Sequence, residues 1–151
     1  MVSVMILAAV AAILSPVVSS TGDVFIQTMR TRQTSERVGF ALERLVRFVR
    51  EIEPAEAGPT VGITVAQSDR LVLANSSGIA LAGTELLLTN KDGQSAVLCT
   101  DVESFELAYI GVDGATETIA TPGQTRTIRI TIRADGYELR AVAFIRSGAT
   151  L

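Results

Sequence analysis

Twenty-two residues pass before the first charged side chain, Asp23. The run MVSVMILAAVAAILSPVVSSTG is apolar or small almost throughout. Roughly 20 such residues in a helix cross the hydrocarbon core of a bilayer. Such a segment must be buried in lipid or among other helices, which constrains the chain more than any other feature. A cleaved secretory signal is the rival reading, with small residues at 8–12 and at Ser19-Ser20 as cleavage points. That reading needs a basic region ahead of the apolar one, and no Lys or Arg precedes it.

A helical pattern continues past the apolar run. Between Asp23 and Glu53, Val38, Leu42, Leu45, Val49 and Ile52 step by four, three, four and three, forming one apolar stripe widened by Ala41 and Phe48. Arg37, Arg44, Arg47 and Arg50 fall elsewhere on the helix, and Glu43 precedes Arg47 by one turn. Gly39 costs about 1 kcal/mol against Ala in a helix, which predicts a close packing contact there. Glu53-Pro54 ends the pattern, because a residue before proline disfavours the α region. The two stretches together predict a helix of some 50 residues, roughly 70 Å long, interrupted at Ser15-Pro16. Its apolar half would project from the body, and Pro16 would kink it.

Beyond the linker EPAEAGPT the periodicity changes to that of strands, predicted at 63–66, 70–74, 85–89, 96–99, 105–110, 127–133 and 137–146. Two Asp-Gly pairs are hairpin signals. A two-residue turn at Asp135-Gly136 sets Ala134 against Tyr137, Ile132 against Leu139, Ile130 against Ala141 and Ile128 against Ala143. The same arithmetic at Asp92-Gly93 sets Cys99 against Leu86 and Val97 against Leu88, which makes Cys99 a small core residue. Asp113-Gly114 opens a longer polar connection, the kind of loop that often carries partner contacts. The expected organisation is therefore α+β. Residues 1–22 would form the transmembrane half of the helix, residues 23–53 the amphipathic half packed on the body, and residues 54–151 an antiparallel β domain.

Chemistry is sparse. The chain has no histidine and a single cysteine, which removes His-paired nucleophiles, imidazole metal sites and structural zinc. No glycine-rich phosphate loop is present. Asp101, Glu103 and Glu106 are the only crowded carboxylates. On a strand Asp101 and Glu103 would share a face, a geometry open to a carboxylate pair, a weak Ca²⁺ site or a solvated acidic edge. The residues predict no enzyme, no cofactor and no resident metal. The net charge of −3 argues against binding nucleic acid by bulk electrostatics. Charge is nonetheless segregated. Residues 1–50 hold six Arg against three acids, residues 51–125 two bases against eleven acids, and residues 126–151 five Arg against two acids. Such blocks can orient a subunit against neighbours of opposite sign.

MVSVMILAAVAAIL resembles the pilin membrane helix just after its glutamate, and Pro16 matches the proline found in many such helices. RVGFALERLVRFVREI, LLLTNKDGQSAVLCTDVESFELAYIGVDG and RTIRITIRADGYELRAVAFIR are similar to the J-type pseudopilin of type II secretion and to related type IV minor pilins. The resemblance covers nearly the whole chain, and the order of its segments is more specific than any one of them. The family's basic leader, cleavage glycine, following Phe and Glu are not among these residues; a pilin-class chain would carry them just ahead of Met1, and a non-pilin anchored protein would not.

The resemblance implies a minor pilin or pseudopilin with a pilin-like fold. It would be held single-pass in the inner membrane with its β body on the periplasmic or extracellular side, and would enter a filament at its tip or in priming assembly. Val2, Val4, Met5, Ile6, Leu7, Val10, Ile13, Leu14, Pro16, Val17 and Val18 would make the membrane and assembly contacts. Val38, Ala41, Leu42, Leu45, Phe48, Val49 and Ile52 would seat the helix on the body. The implied partners are other pilin or pseudopilin subunits, the inner-membrane assembly platform and membrane lipid. The alternative is a β-rich binding module, periplasmic or extracellular, on a single-span anchor.

Overall fold

The computed structural model describes residues 28–29, 31–53 and 61–146. The chain divides into two compact units, residues 1–35 and 36–151. The described residues of the first unit, 28–29 and 31–35, are helical. The expected membrane and assembly residues from Val2 to Val18 lie outside the described residues, as does most of the linker, 54–60.

Helix α1 covers residues 31–50. Eight strands follow: β1 (Ile63–Ala66), β2 (Arg70–Leu73), β3 (Gly78–Ala82), β4 (Glu85–Thr89), β5 (Ser95–Cys99), β6 (Val102–Ile110), β7 (Thr127–Ala134) and β8 (Tyr137–Phe144), with a short 3-10 turn at Pro122–Gln124. They form two antiparallel sheets, one ordered β1-β2-β3-β4-β5 and the other β6-β7-β8.

This corrects the expectation of a long apolar helix projecting from one antiparallel body. Among the described residues the chain is mostly strand, α1 is a short helix, and no helix is long and apolar enough to cross a membrane. The reason lies in where burial is available. The apolar stripe that the body covers runs from Val38 to Ile52, so packing on the β structure supports the helix over that stretch. On the sheet side, two small sheets each need an apolar partner for one face. They meet that need in one common core, where Leu71, Ile79 and Leu86 of the first sheet join Phe105, Leu107, Ile128, Ile130 and Ile132 of the second.

Local chemistry explains the β7–β8 register. Asp135 (φ 49°) and Gly136 (φ 75°) both lie in the left-handed region, as the two-residue hairpin turn requires. The resulting pairs are Ala134↔Tyr137, Ile132↔Leu139, Ile130↔Ala141 and Ile128↔Ala143. The other Asp-Gly hairpin differs from its expected form. Asn90 accepts the N–H groups of Asp92 and Gln94 through its side-chain oxygen, at 3.0 and 2.9 Å, and so holds a wider loop. The pairs are then Thr89↔Ser95, Leu88↔Ala96 and Leu87↔Val97, and a bulge at Leu86/Leu87 brings Cys99 opposite Leu86. Val97 is therefore half exposed and faces Leu87 instead of Leu88.

Strand β3 has no counterpart in the sequence-based reading. Its GIALA segment is short and rich in small residues, which carry little strand signal. Its packing depends on Gly78, where a Cβ would stand 2.5 Å from the carbonyl oxygen of Leu71.

Candidate functional site

The buried face of α1 is the first candidate. Val38, Ala41, Leu45 and Val49 are fully buried, Ile52 is 2% exposed, and Leu42 and Phe48 are partly buried against the same core. The centre of the stripe thus runs through Ala41, with Leu42 on its flank. The small Ala41 methyl lets the helix approach the sheets closely, while each large aliphatic side chain beside it contributes about 1.5–3 kcal/mol by burial. Gly39 makes no close approach: a Cβ placed there meets nothing within 4 Å among the described residues. Arg37 on the flank donates to Thr100 Oγ1 at 3.3 Å and lies 3.7 Å from the Asp101 carboxylate. Both partners are exposed, so the pair adds little stability.

The crowded carboxylates do not assemble into a reactive pair. Asp101 precedes β6 with φ 60° and faces Arg37. A bulge between Val102 and Ser104 turns Glu103 another way, where it ion-pairs with Arg133 at 3.0 Å and accepts the Gly136 N–H at 3.0 Å. Glu106 lies farther along β6 opposite Thr131. No group of His, Cys, Asp and Glu suited to a metal ion occurs among the described residues. Cys99 is buried, and burial pushes its thiol above the ordinary range despite the opposing charge of Arg37. A raised thiol pKa and a closed position disfavour the reactive thiolate.

A second candidate is an open cleft of about 510 Å³ between the C-terminal half of α1, the β2–β3 turn and the β4–β5 loop. Phe48, Leu73 and Leu88 line it with apolar surface, Arg44 and Lys91 supply cations, Glu51 a carboxylate and Asn75 an amide. The Asn75 side-chain oxygen already accepts the N–H and hydroxyl of Ser77, at 3.0 and 2.6 Å, which leaves its amide N–H₂ as the available group. Arg44 and Lys91 can only donate. The cleft therefore suits a ligand with an apolar body and mixed polar groups, acceptors toward Arg44 and Lys91 and a donor toward Glu51. Sequence reading did not pick it out, because its walls come from three segments far apart in the chain. The asparagines of the two turns are the one local signal pointing there.

The sequence matches no family model and no curated protein.

Proposed function

We propose that this protein is a membrane-anchored minor pilin or pseudopilin subunit of a type II secretion or type IV pilus-like filament, acting at its tip or in priming assembly. The observation that carries this reading is an uncharged 22-residue run in the same short chain as a helix whose apolar stripe is sunk into a β body. The apolar run provides an element that exchanges lipid for the apolar surfaces of neighbouring subunits with little change in exposure. Van der Waals and polar contacts then decide assembly. The β body supplies the outward, partner-specific surface, and the segregated charge of the chain gives that surface selectivity. On this reading the body faces the periplasm or exterior, and the inner-membrane assembly platform and lipid are the further partners.

Photocross-linking from Val10 and Ile13 in membranes of the native host tests the proposal. Adducts with other subunits that carry an uncharged N-terminal run support it. Recovery of the full chain in the soluble fraction, with no such adducts, overturns it. The cleft bounded by Arg44, Phe48 and Lys91 favours a second reading, an anchored binding module. That reading predicts membrane retention, lipid adducts alone, and capture of an amphipathic ligand that Lys91→Glu abolishes.

A further inference from the structure

The two edges of the second sheet are treated differently. Along β6 several outward backbone groups are occupied: Val102 N–H donates to Thr84 at 2.9 Å, Leu107 N–H to Ser68 at 2.6 Å, and the Tyr109 carbonyl accepts from Thr118 at 2.9 Å. Strand β8 is the opposite edge. Its register with β7 is unbroken over eight residues, and its sequence, YELRAVAF, holds no Pro and no Lys. It thus lacks the bulge and proline by which proteins blunt exposed edges, and its two charges, Glu138 and Arg140, are of opposite sign.

The phase of the β7–β8 ladder identifies the outward groups. Ala134 and Tyr137 close the two-residue turn as a hydrogen-bonded pair, and Ile145 N–H donates to the Arg126 carbonyl at 2.9 Å in the same phase. Hydrogen-bonded and non-hydrogen-bonded pairs alternate. Tyr137, Leu139, Ala141 and Ala143 therefore bond to β7, while Glu138, Arg140, Val142 and Phe144 direct their N–H and C=O groups outward. No backbone partner of these four on that side occurs among the described residues. The same four residues carry exposed side chains, including Val142 at 47% and Phe144 at 67%.

We infer that β8 is an isologous dimerisation edge, pairing antiparallel with β8 of a second copy about a two-fold axis at Val142. Self-complementarity selects both occupant and register. An axis at Arg140 sets two arginines directly opposite, and an axis at Ala143 sets Arg140 against Arg146. Like charges in that position are unfavourable. An axis at Ala141 sets Glu138 against Phe144. An axis at Leu139 overlaps only the start of the strand and leaves Phe144 beyond the pairing, and an axis at Phe144 overlaps only its end and sets Val142 against Arg146. The axis at Val142 sets Val142 against its own copy, Arg140 against Phe144 and Glu138 against Arg146. The outcome is an apolar centre flanked by two cation–aromatic pairs and closed by two ion pairs, over residues 138–146. Arg140 and Glu138, which bond to each other at 2.6 Å in the single chain, exchange that contact for contacts across the axis. The inference does not depend on the filament reading, because it uses the β body alone.

Cysteine cross-linking of the full chain in mild detergent tests both the dimer and its register. Opposed residues of a hydrogen-bonded pair lie about 5.5 Å apart at Cα, within disulfide range. Two copies of residue 140 lie four residues out of step, about 13 Å apart. Val142→Cys should give at least about tenfold more intermolecular disulfide than Arg140→Cys or than the parent with Cys99 alone, since Cα atoms beyond 7 Å do not bridge. Val142→Lys should lower the dimer fraction in sedimentation and, at concentrations where the parent is monomeric, leave the urea midpoint of unfolding unmoved. Association through residues 1–22 would leave Val142→Cys no more cross-linked than Arg140→Cys. That result, a parent-level yield from both variants, or a dimer fraction indifferent to Val142→Lys would overturn the inference.

Discussion

The hydroxyl of Tyr109 stands 2.9 Å from the carbonyl oxygen of Gln67 and donates across the junction between the two sheets. The Arg70 carbonyl lies at the same distance, so one phenol serves both ends of the β1–β2 turn. Tyr109 is among the largest fully buried side chains. Its loss would leave acceptors facing an apolar interior. Tyr109→Phe should cost about 1–2 kcal/mol, read from the midpoint of urea unfolding.

The same residue predicts an alkaline limb. Burial holds the phenol proton well above the ordinary tyrosine range. The unfolded chain releases that proton near pH 10, whereas the folded chain keeps it. Stability from Tyr109 is therefore complete below about pH 10 and is lost as the pH rises further. Unfolding followed from pH 8 to 11 should show this loss in the parent and a shallower decline in Tyr109→Phe.

Position within the helix stripe should matter more than side-chain type. Leu45 is fully buried and Leu42 only partly so. Leu45→Ala should cost about 2–5 kcal/mol, and Leu42→Ala markedly less. Equal shifts in the denaturation midpoints of the two variants would contradict the observed azimuth of α1.

Two glycines should respond in opposite directions. Gly39 has open space at its Cβ position, so Gly39→Ala should stabilise by about 1 kcal/mol through helix propensity alone. At Gly78 the added methyl would meet the backbone of β2, and Gly78→Ala should destabilise by about 1–3 kcal/mol or more. Thermal melts of the pair decide both signs.

In the β6–β7 connection, hydrogen bonds from the Thr116 hydroxyl and the N–H groups of Thr116 and Ala115 hold the Asp113 carboxyl below its usual range. The sign is that of a depressed acid: its contribution is present above about pH 4 and fades as the pH falls through the folded value. Thr116→Val should move the Asp113 titration upward in an NMR experiment. The shift should be partial, because the Ala115 N–H bond remains.

What could be read locally was determined by the sequence alone. Asp135 and Gly136 both tolerate left-handed backbone, so their turn sets every pair from Ala134↔Tyr137 to Thr127↔Phe144. The spacing from Val38 to Ile52 likewise specified which side of α1 is apolar, because a helix repeats every 3.6 residues whatever surrounds it. The tertiary structure alone decided whether Ala41 or Leu42 sits at the centre of that side, since both lie on it and only the shape of the sheets distinguishes them.

It also decided that Gly78–Ala82 is a strand, that a bulge moves Val97 away from Leu88, and that the strands divide into two sheets. Each of these is settled by contacts between segments far apart in the chain. The cleft between Arg44 and Lys91 and the open edge at β8 belong to the same class. Whether a groove or an unpaired strand exists depends on which neighbours the rest of the fold supplies, and no local pattern encodes that.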